Sequence, residues 1–330
     1  MLVMNFKRIR NVKTRRKAFT LIEVMVATTV MVILVGLVIQ ITNEVLKVWN
    51  RSSGKLSATA EARVALELLT QDLQTAVFRD NNMQWLRVES PVEVGDAYAN
   101  QTVALKLFAP ALDRPKVDAQ GLPIPGDICG IAYRLAFKEA YTSPSGNAPK
   151  IYALYRRIVD SRLTFNELLG VGKQESLSEE YSSNWAINSG ASYPDGVITA
   201  IEDESNYLAT NIVNFKIIVY YKDESTDPAI AVPFNADPGT LKLNNVDFIY
   251  GGNDFSNIPN VLYPAQLQPI YADIVLTMIT DQGLEILQNM AEGRSGTGYV
   301  DGSFESKEEQ VVREHAETYT RRVSFAARSL

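Results

Sequence analysis

One acidic side chain, Glu23, stands inside an otherwise uncharged apolar stretch, residues 19–41. A helix of this length covers roughly 34 Å at about 1.5 Å per residue, which is enough for a bilayer core of about 30 Å. A carboxylate placed in hydrocarbon costs on the order of 3 kcal/mol, so it indicates a functional site with a positively charged partner. No cation lies within the stretch itself, and the partner must come from elsewhere.

A new amino terminus could supply that charge. If the chain were cut between Ala18 and Phe19, the α-amino group of Phe19 would lie four residues, roughly 6 Å along a helix, from the Glu23 backbone. Residues 1–18 form a leader of charge +7 without any acid, and the remainder carries −13. By the positive-inside rule the leader stays in the cytoplasm, and residues after about 42 lie on the other side of the membrane.

Three simpler interpretations compete for the apolar stretch: a cleaved secretory signal, a plain signal anchor, and a core helix of a soluble protein. A secretory signal has a shorter apolar core and a small-residue cleavage site after it. A soluble core helix is rarely apolar on all faces for six turns. A signal anchor explains the length and the flanking charges, but it does not explain Glu23.

Residues 17–27, KAFTLIEVMVA, resemble the cleavage and methylation motif of type IV prepilins and type II secretion pseudopilins. The resemblance implies that a prepilin peptidase cuts after Ala18 and methylates the amine of Phe19. It also implies that Glu23 pairs with an N-terminal amine, usually that of a neighbouring subunit, during filament assembly. Ala18 departs from the glycine that is most frequent in the family, although it is still a small residue. The implied location is the bacterial inner membrane, crossed once, with a periplasmic C-terminal domain.

Helical spacing continues beyond the span and predicts a stalk helix over residues 42–80. Leu66, Leu69, Leu73 and Val77 recur at steps of three and four residues and are expected to pack on the downstream domain. A second face, formed by Val45, Trp49 and Leu56, is where contacts with other subunits are expected. Gly54, beside two serines, is a candidate kink or break.

Residues 81–330 read as an antiparallel β domain, because short apolar or alternating runs are separated by Gly, Pro, Asn and Asp. The expected fold is therefore α+β and pilin-like, with a leader at 1–18, a transmembrane helix at 19–41, a stalk at 42–80 and a periplasmic domain. Three polar segments, about 164–206, 223–269 and 291–317, are long for a compact domain and suggest insertions. The predicted strands are 102–109, 130–138, 150–159, 212–222, 270–280 and 320–327.

The order of these elements is similar to that of the J-type minor pseudopilins of type II secretion, although this resemblance is diffuse. It rests on the pattern Asp-Leu-x-x-Ala at 72–76 and on the runs AYRL, LYRR, IVLTM and RRVSF at 132–135, 154–157, 274–278 and 321–325. The segment 49–55 with 62–67 also resembles prepilin-like proteins of the Verru_Chthon gene cassette. The insertions are longer than in a compact pseudopilin.

Residues for catalysis or cofactor binding are few. The single cysteine, Cys129, lies in an apolar run and is expected to be a buried thiol, and the single histidine, His315, lies in a charged run. Phosphate-binding and nucleophile-elbow motifs are absent from the sequence. Acidic clusters at 202–204 and 223–224 lack the spacing of a calcium loop and read as solvated turns. We therefore expect no enzyme activity, no cofactor and no metal.

The arginine pairs Arg156-Arg157 and Arg321-Arg322 read as edge or surface charges and not as a nucleic-acid site. The leading hypothesis is a structural minor pseudopilin with three kinds of partner: prepilin peptidase, other pseudopilins or pilins, and inner-membrane lipid. The alternative is a type IV pilus minor pilin or a cassette pseudopilin that displays a surface domain. A third class, a signal-anchored periplasmic enzyme or sensor, would keep its N-terminus near Met1.

Overall fold

The computed structural model describes residues 20–79, 81–92, 102–111, 128–139, 150–159, 161–170, 172–174, 176–178, 200–223, 230–237, 242–244, 246–251, 269–291 and 307–325. The chain divides into two compact units, Met1–Ser52 and Ser53–Leu330. The first unit contains the apolar stretch, and the second contains the β-sheets. Ala18 and Phe19 lie outside the described residues.

The first element is one α-helix, α1, over Leu21–Gln74. It is not interrupted at Gly54, where the sequence suggested a possible break. In the second unit the helix buries a stripe at steps of three and four residues, which is the pattern of an amphipathic helix on a core. Leu66, Leu69 and Leu73 belong to this stripe, as predicted, together with Ala62 and Ala65. Val77 was predicted to continue the stripe on a helix reaching residue 80, but the helix ends at Gln74, and the Val77 N–H donates to the carbonyl of Phe108 instead. Complete burial of a leucine side chain stabilises the fold by roughly 1.5–3 kcal/mol.

Two antiparallel sheets follow. The large sheet has the order β5-β4-β3-β2-β1-β8 and consists of β1 (Gln84–Val92), β2 (Thr102–Ala109), β3 (Cys129–Glu139), β4 (Lys150–Val159), β5 (Tyr207–Thr210) and β8 (Phe248–Gly251). The small sheet has the order β10-β9-β6-β7 and consists of β6 (Ile212–Asp223), β7 (Ile230–Pro233), β9 (Pro269–Ile279) and β10 (Ala316–Ser324). Two further helices, α2 (Asp281–Ala291) and α3 (Lys307–His315), precede β10. The pilin-like α+β arrangement expected from the sequence is confirmed.

The main core lies where α1 meets the inner faces of both sheets. One cluster of buried side chains includes Leu69 and Leu73 from α1, Leu105 and Ile131 from the large sheet, and Phe215 from the small sheet. Because the two sheets and the helix share this cluster, the second unit has a continuous core.

The large sheet is covered on its other face as well. A second cluster joins Trp85 and Phe108 to Leu168, Leu177 and Ile201, which are fully buried and come from the first of the long polar segments. Short helical turns carry these three residues, at Thr164–Leu168, Ser176–Ser178 and Ala200–Glu202. The described parts of this insertion therefore cover the outer face of the large sheet.

The chain passes from the large sheet to the small sheet through one residue, Asn211, between β5 and β6. Its φ of 58° lies in the left-handed region, which asparagine tolerates better than most residues. Its N–H donates to the carbonyl of Tyr152 in the large sheet, and its carbonyl accepts from the N–H of Ile279 in the small sheet, both at 2.8 Å. Beside it, Thr210 donates from its N–H and its hydroxyl to Glu61 of α1, each at 3.0 Å. The connection between the two sheets is thus hydrogen-bonded to α1.

A buried ion pair fixes the end of α1 to the large sheet. Asp72 accepts two hydrogen bonds from the Arg156 guanidinium, at 2.8 and 2.9 Å, and a third from the Tyr133 hydroxyl at 2.5 Å. All three side chains are buried. Burial, and then the charge of Asp72, raises the pKa of the Tyr133 hydroxyl well above its usual value, so the hydroxyl remains a donor.

The expectation that the Arg156-Arg157 pair lies at an edge or on the surface is wrong. Both side chains are buried, because β4 is an interior strand that is covered on both faces. Arg156, which was expected on the surface, instead forms an ion pair with Asp72 of α1.

Substitution of Asp72 by Asn should destabilise the protein by about 3–5 kcal/mol, because the Arg156 charge would stay buried without its counter-ion. The matched control is Glu67→Gln on the same helix. Glu67 pairs with Arg321 at 2.6 Å but is 69% exposed, so its loss should cost less than about 1 kcal/mol. Denaturant unfolding of the detergent-solubilised chain, followed by circular dichroism, measures both. Equal losses in the two variants would contradict the role of the buried pair.

Candidate functional site

The predicted site residue Glu23 lies in the first turn of α1, three residues after Thr20, which directly precedes the helix. The N–H of Thr20 donates to Glu23 Oε2 at 3.1 Å, and the Thr20 hydroxyl donates to the same oxygen at 3.3 Å. In return, the Glu23 N–H donates to Thr20 Oγ1 at 3.3 Å. These reciprocal bonds form a capping box, in which the N-cap and the third helical residue satisfy each other's backbone donors.

The capping box explains how a carboxylate is held at the start of an apolar helix. The unpaired N–H groups of a helix N-terminus carry a partial positive charge, which a carboxylate at the third position stabilises. Both bonds from Thr20 end on Oε2. Among the described residues, the capping box thus uses one of the two carboxylate oxygens, and Oε1 keeps acceptor capacity for a cation. Thr20 was not among the predicted site residues, although the spacing Thr-x-x-Glu could have identified it.

The helix presents an apolar surface after this turn. Every side chain from Leu21 to Ile41 is exposed, and the most apolar window has a mean hydropathy of 2.6. The hydroxyls within and just beyond the stretch bond back to helix carbonyls: Thr28 and Thr29 donate to Met25, and Thr42 donates to Val38. Such bonds satisfy polar groups where water is excluded. Among the described residues, α1 is the one helix long and apolar enough to cross a membrane.

The side chains that could carry other chemistry serve structural roles. Cys129 is a buried thiol, as predicted. His315 ends α3 and packs over Gly283 of α2, so closely that a Cβ on that glycine would come within 2.5 Å of the His315 Cβ. In the acidic cluster at 202–204, Asp203 accepts a bond from the Ser205 N–H at 2.8 Å, and its bonds to Ser205 lower the pKa of its carboxyl. No group of three or more metal-ligating side chains occurs in the described ranges.

The face of α1 that was expected to contact other subunits is exposed. Val45, Trp49 and Leu56 expose 59%, 70% and 72% of their surface. Exposed large apolar side chains at helical spacing are typical of an interaction surface. That other subunits cover these three side chains stays a prediction.

Replacement of Thr20 by Val removes the hydroxyl at constant shape and should weaken the first turn by about 0.5–2 kcal/mol. The control Thr20→Ser keeps a capping oxygen. Amide hydrogen exchange in detergent micelles measures the result: the Glu23 and Val24 amides should exchange several-fold faster in Thr20→Val than in Thr20→Ser. Identical exchange rates in the two variants would show that the capping box does not hold the turn.

Comparison with known families gives a match at the N-terminal end of the chain. The model of the prokaryotic N-terminal methylation motif matches residues 13–39, which include Ala18, Phe19, Thr20 and Glu23. No curated protein and no solved structure matches the chain. Proteins with this motif are processed by a prepilin peptidase, and those of the pilin family are structural subunits, not enzymes. The chain is therefore a prepilin-like protein that carries the N-terminal methylation motif of the type IV pilin and pseudopilin family.

Proposed function

We propose that this prepilin-like protein is a minor pseudopilin of a type II secretion-like filament, assembled near the filament tip. The observation that carries the proposal is the position of Glu23. It is a carboxylate held in the first turn of a helix long enough to span a membrane, four residues after Phe19, the residue that the proposed cleavage would make the N-terminus. The leader 1–18, the span 19–41, the stalk 42–80 and the periplasmic domain 81–330 are parts of this proposal.

The proposed processing follows from the chemistry of that turn. Cleavage after Ala18 releases the α-amino group of Phe19, which is next in sequence to the Thr20 N–H that already donates to Glu23 Oε2. A cation then stands one residue before the N–H that bonds the carboxylate, and it neutralises a charge that hydrocarbon disfavours. Methylation of the Phe19 amine leaves this cation in place. In an assembled filament the amine of a neighbouring subunit is the proposed partner.

The J-type assignment is supported by the position of the Asp72–Ala76 pattern. Asp72 is the carboxylate that fixes α1 to the large sheet, so the residues that resemble J-type pseudopilins lie where the stalk and the domain join. The alternative is a type IV pilus minor pilin or a cassette pseudopilin with a surface-display domain. The insertion that covers the large sheet favours this alternative, because it enlarges the domain. Gene neighbours distinguish the two, since secretion clusters encode several pseudopilins and an outer-membrane secretin.

Replacement of Ala18 by Phe should block cleavage, since a bulky side chain does not fit where the peptidase motif has a small one. The accumulated chain should retain its 18-residue leader. Ala18→Gly is the control and should be processed at least as well as the parent. Intact mass spectrometry of the membrane form measures the mature N-terminus. A chain of unchanged mass in Ala18→Phe, or a parent that begins at Met1, would contradict the cleavage site.

Replacement of Glu23 by Gln should leave insertion and cleavage intact but reduce incorporation into filaments at least about tenfold, because the pair loses its negative charge. The control is Glu44→Gln, which removes an acid from the same helix beyond the apolar stretch. The measurement is the amount of each processed variant in sheared filaments, relative to its amount in the membrane. Normal incorporation of Glu23→Gln would remove the charge-pair argument.

A further inference from the structure

The connection from β4 to β5 is a long loop between two neighbouring strands. β4 ends at Val159, β5 begins at Tyr207, and the two strands pair with each other in the large sheet. Because both ends of the loop lie on adjacent strands, the loop can lift away without breaking any pairing of strands. The structure describes this loop at residues 161–170, 172–174, 176–178 and 200–206, and these residues are called the strap below.

The strap folds back across the outer face of the large sheet. The Thr164 hydroxyl accepts from the Gly130 N–H of β3 at 2.8 Å, and the Gln174 carbonyl accepts from the Gln84 N–H of β1 at 3.0 Å. In the sheet, β3 and β2 lie between β4 and β1. The strap therefore starts at β4 and reaches across the face as far as β1.

Two lysines of the covered face bind main-chain carbonyls of the strap. Lys106 of β2 donates to the Leu177 carbonyl at 3.1 Å, and Lys138 of β3 donates to the carbonyl of Glu202. Each of these carbonyls lies at or beside a fully buried apolar side chain, that of Leu177 itself or that of Ile201. A lysine bond and an apolar contact thus occur together at both places, and neither contributes to the pairing of the strands.

The strap is held by few apolar side chains. Among the described residues, its fully buried apolar side chains are Leu168, Leu177 and Ile201, and they belong to the second cluster and not to the main core. Ordering the strap costs conformational entropy for every residue, and so few buried side chains offset only part of that cost. Segments of this kind open at a lower free energy than the core of a domain.

The face beneath the strap is both apolar and basic. Trp85 and Phe108 pack there edge to face, with their ring centres 5.6 Å apart. The strap brings an acidic turn to this face: Asp203 bonds Ser205, and these bonds, followed by the nearby positive charges of the sheet, lower the pKa of its carboxyl. Outward positions of β1–β4 carry one acid, Glu89, and the cations Arg87, Lys106, Arg134, Lys138 and Arg157.

We propose that the strap is a reversible cover, which opens as one unit and exposes the outer face of the large sheet while both sheets and α1 stay folded. It opens as one unit because its three buried apolar side chains share one cluster. The packing of α1 is unaffected, since α1 contacts the inner face through the main core. The inference does not rest on the proposed filament role, and either can fail while the other stands.

Native-state amide hydrogen exchange of the full chain in detergent tests the proposal. The strap amides of Leu169 and Asn206 should exchange through a local opening whose rate depends little on denaturant, whereas amides of the central strands β2 and β6 should require global unfolding. The amides of Gln84 and Gly130 should exchange with the strap, because the strap holds their acceptors. One common denaturant dependence for all of these amides would overturn the proposal.

A matched pair of variants separates the two kinds of opening. Ile131→Val shortens a side chain of the main core, which destabilises the closed and open forms alike, so it should speed exchange in β6 several-fold and leave the strap amides unchanged. Leu177→Ala removes a side chain that only the closed form buries, so it should speed exchange of the strap amides at least about tenfold. Equal acceleration of strap and β6 amides by Ile131→Val, or no acceleration of the strap by Leu177→Ala, would contradict a separate opening.

Thiol labelling shows which face becomes exposed. In a Cys129→Ser background, Ala104→Cys places a thiol on the face beneath the strap, and Ala65→Cys places one in the main core; both alanines are fully buried. Iodoacetamide should label the Ala104→Cys variant at least about tenfold faster than the Ala65→Cys variant. Thermal unfolding checks that both variants are folded. Equal labelling rates in two folded variants would show that the outer face is exposed only when the whole domain unfolds.

Discussion

The buried contact between Asp72, Arg156 and Tyr133 joins the two halves of this protein's architecture. A charge placed in a core is costly unless an opposite charge and further hydrogen bonds compensate it, and this carboxylate has both. The three residues come from α1, β4 and β3, so one cluster sets the position of the helix end against the centre of the large sheet. The main core and the register of the helix along the sheet depend on that position. Glu61 is a second attachment of α1, nearer the other end of the packed segment, where it accepts two bonds from Thr210 at the connection between the sheets.

Glu23 is also a carboxylate in apolar surroundings, but it is stabilised by a capping box and not by an ion pair. It lies on a helix whose surroundings supply no protein partner in the described residues, and its carboxylate is held by the turn in which it lies. A capping box satisfies hydrogen-bonding groups, but it does not neutralise charge. The same side chain can therefore keep its local bonds and still take a cation. The helix start is stable before a partner arrives and remains able to bind one.

The sequence predicted those parts of the fold whose pattern is local. Leu66, Leu69 and Leu73 were identified by helical spacing, and the limits of β4 were predicted correctly because the strand is bounded by turn residues. β5, β7 and β8 were missed because four residues are too short for a periodic signal. β1 was missed because Arg87, Glu89 and Pro91 interrupt its apolar residues. The predicted start of β10 was four residues late, since its first half is polar on both faces at an edge.

Functional and buried polar residues were likewise predictable only where their partners lie nearby in sequence. The motif around Glu23 is continuous in sequence, and Thr20 could have been found by its spacing. Arg156 could not be assigned from sequence, because its partner lies 84 residues earlier, on another element. No pattern within the strand distinguishes a buried arginine that meets a carboxylate from an exposed one. The covering of a sheet by the long polar segment could not be predicted either, since Leu168, Leu177 and Ile201 lie in separate helical turns that are too short for a periodic signal.

The anchors spaced along α1 also have a mechanical consequence. Thr59, Glu61, Glu67 and Asp72 attach the helix to strands at several levels along its length. A tension applied along the helix axis loads these attachments in shear, so they must yield together before the helix can slide. A force perpendicular to the axis would peel them apart one after another. The packed segment is therefore built to resist pulling from the end that continues into the apolar stretch more strongly than pulling from the side.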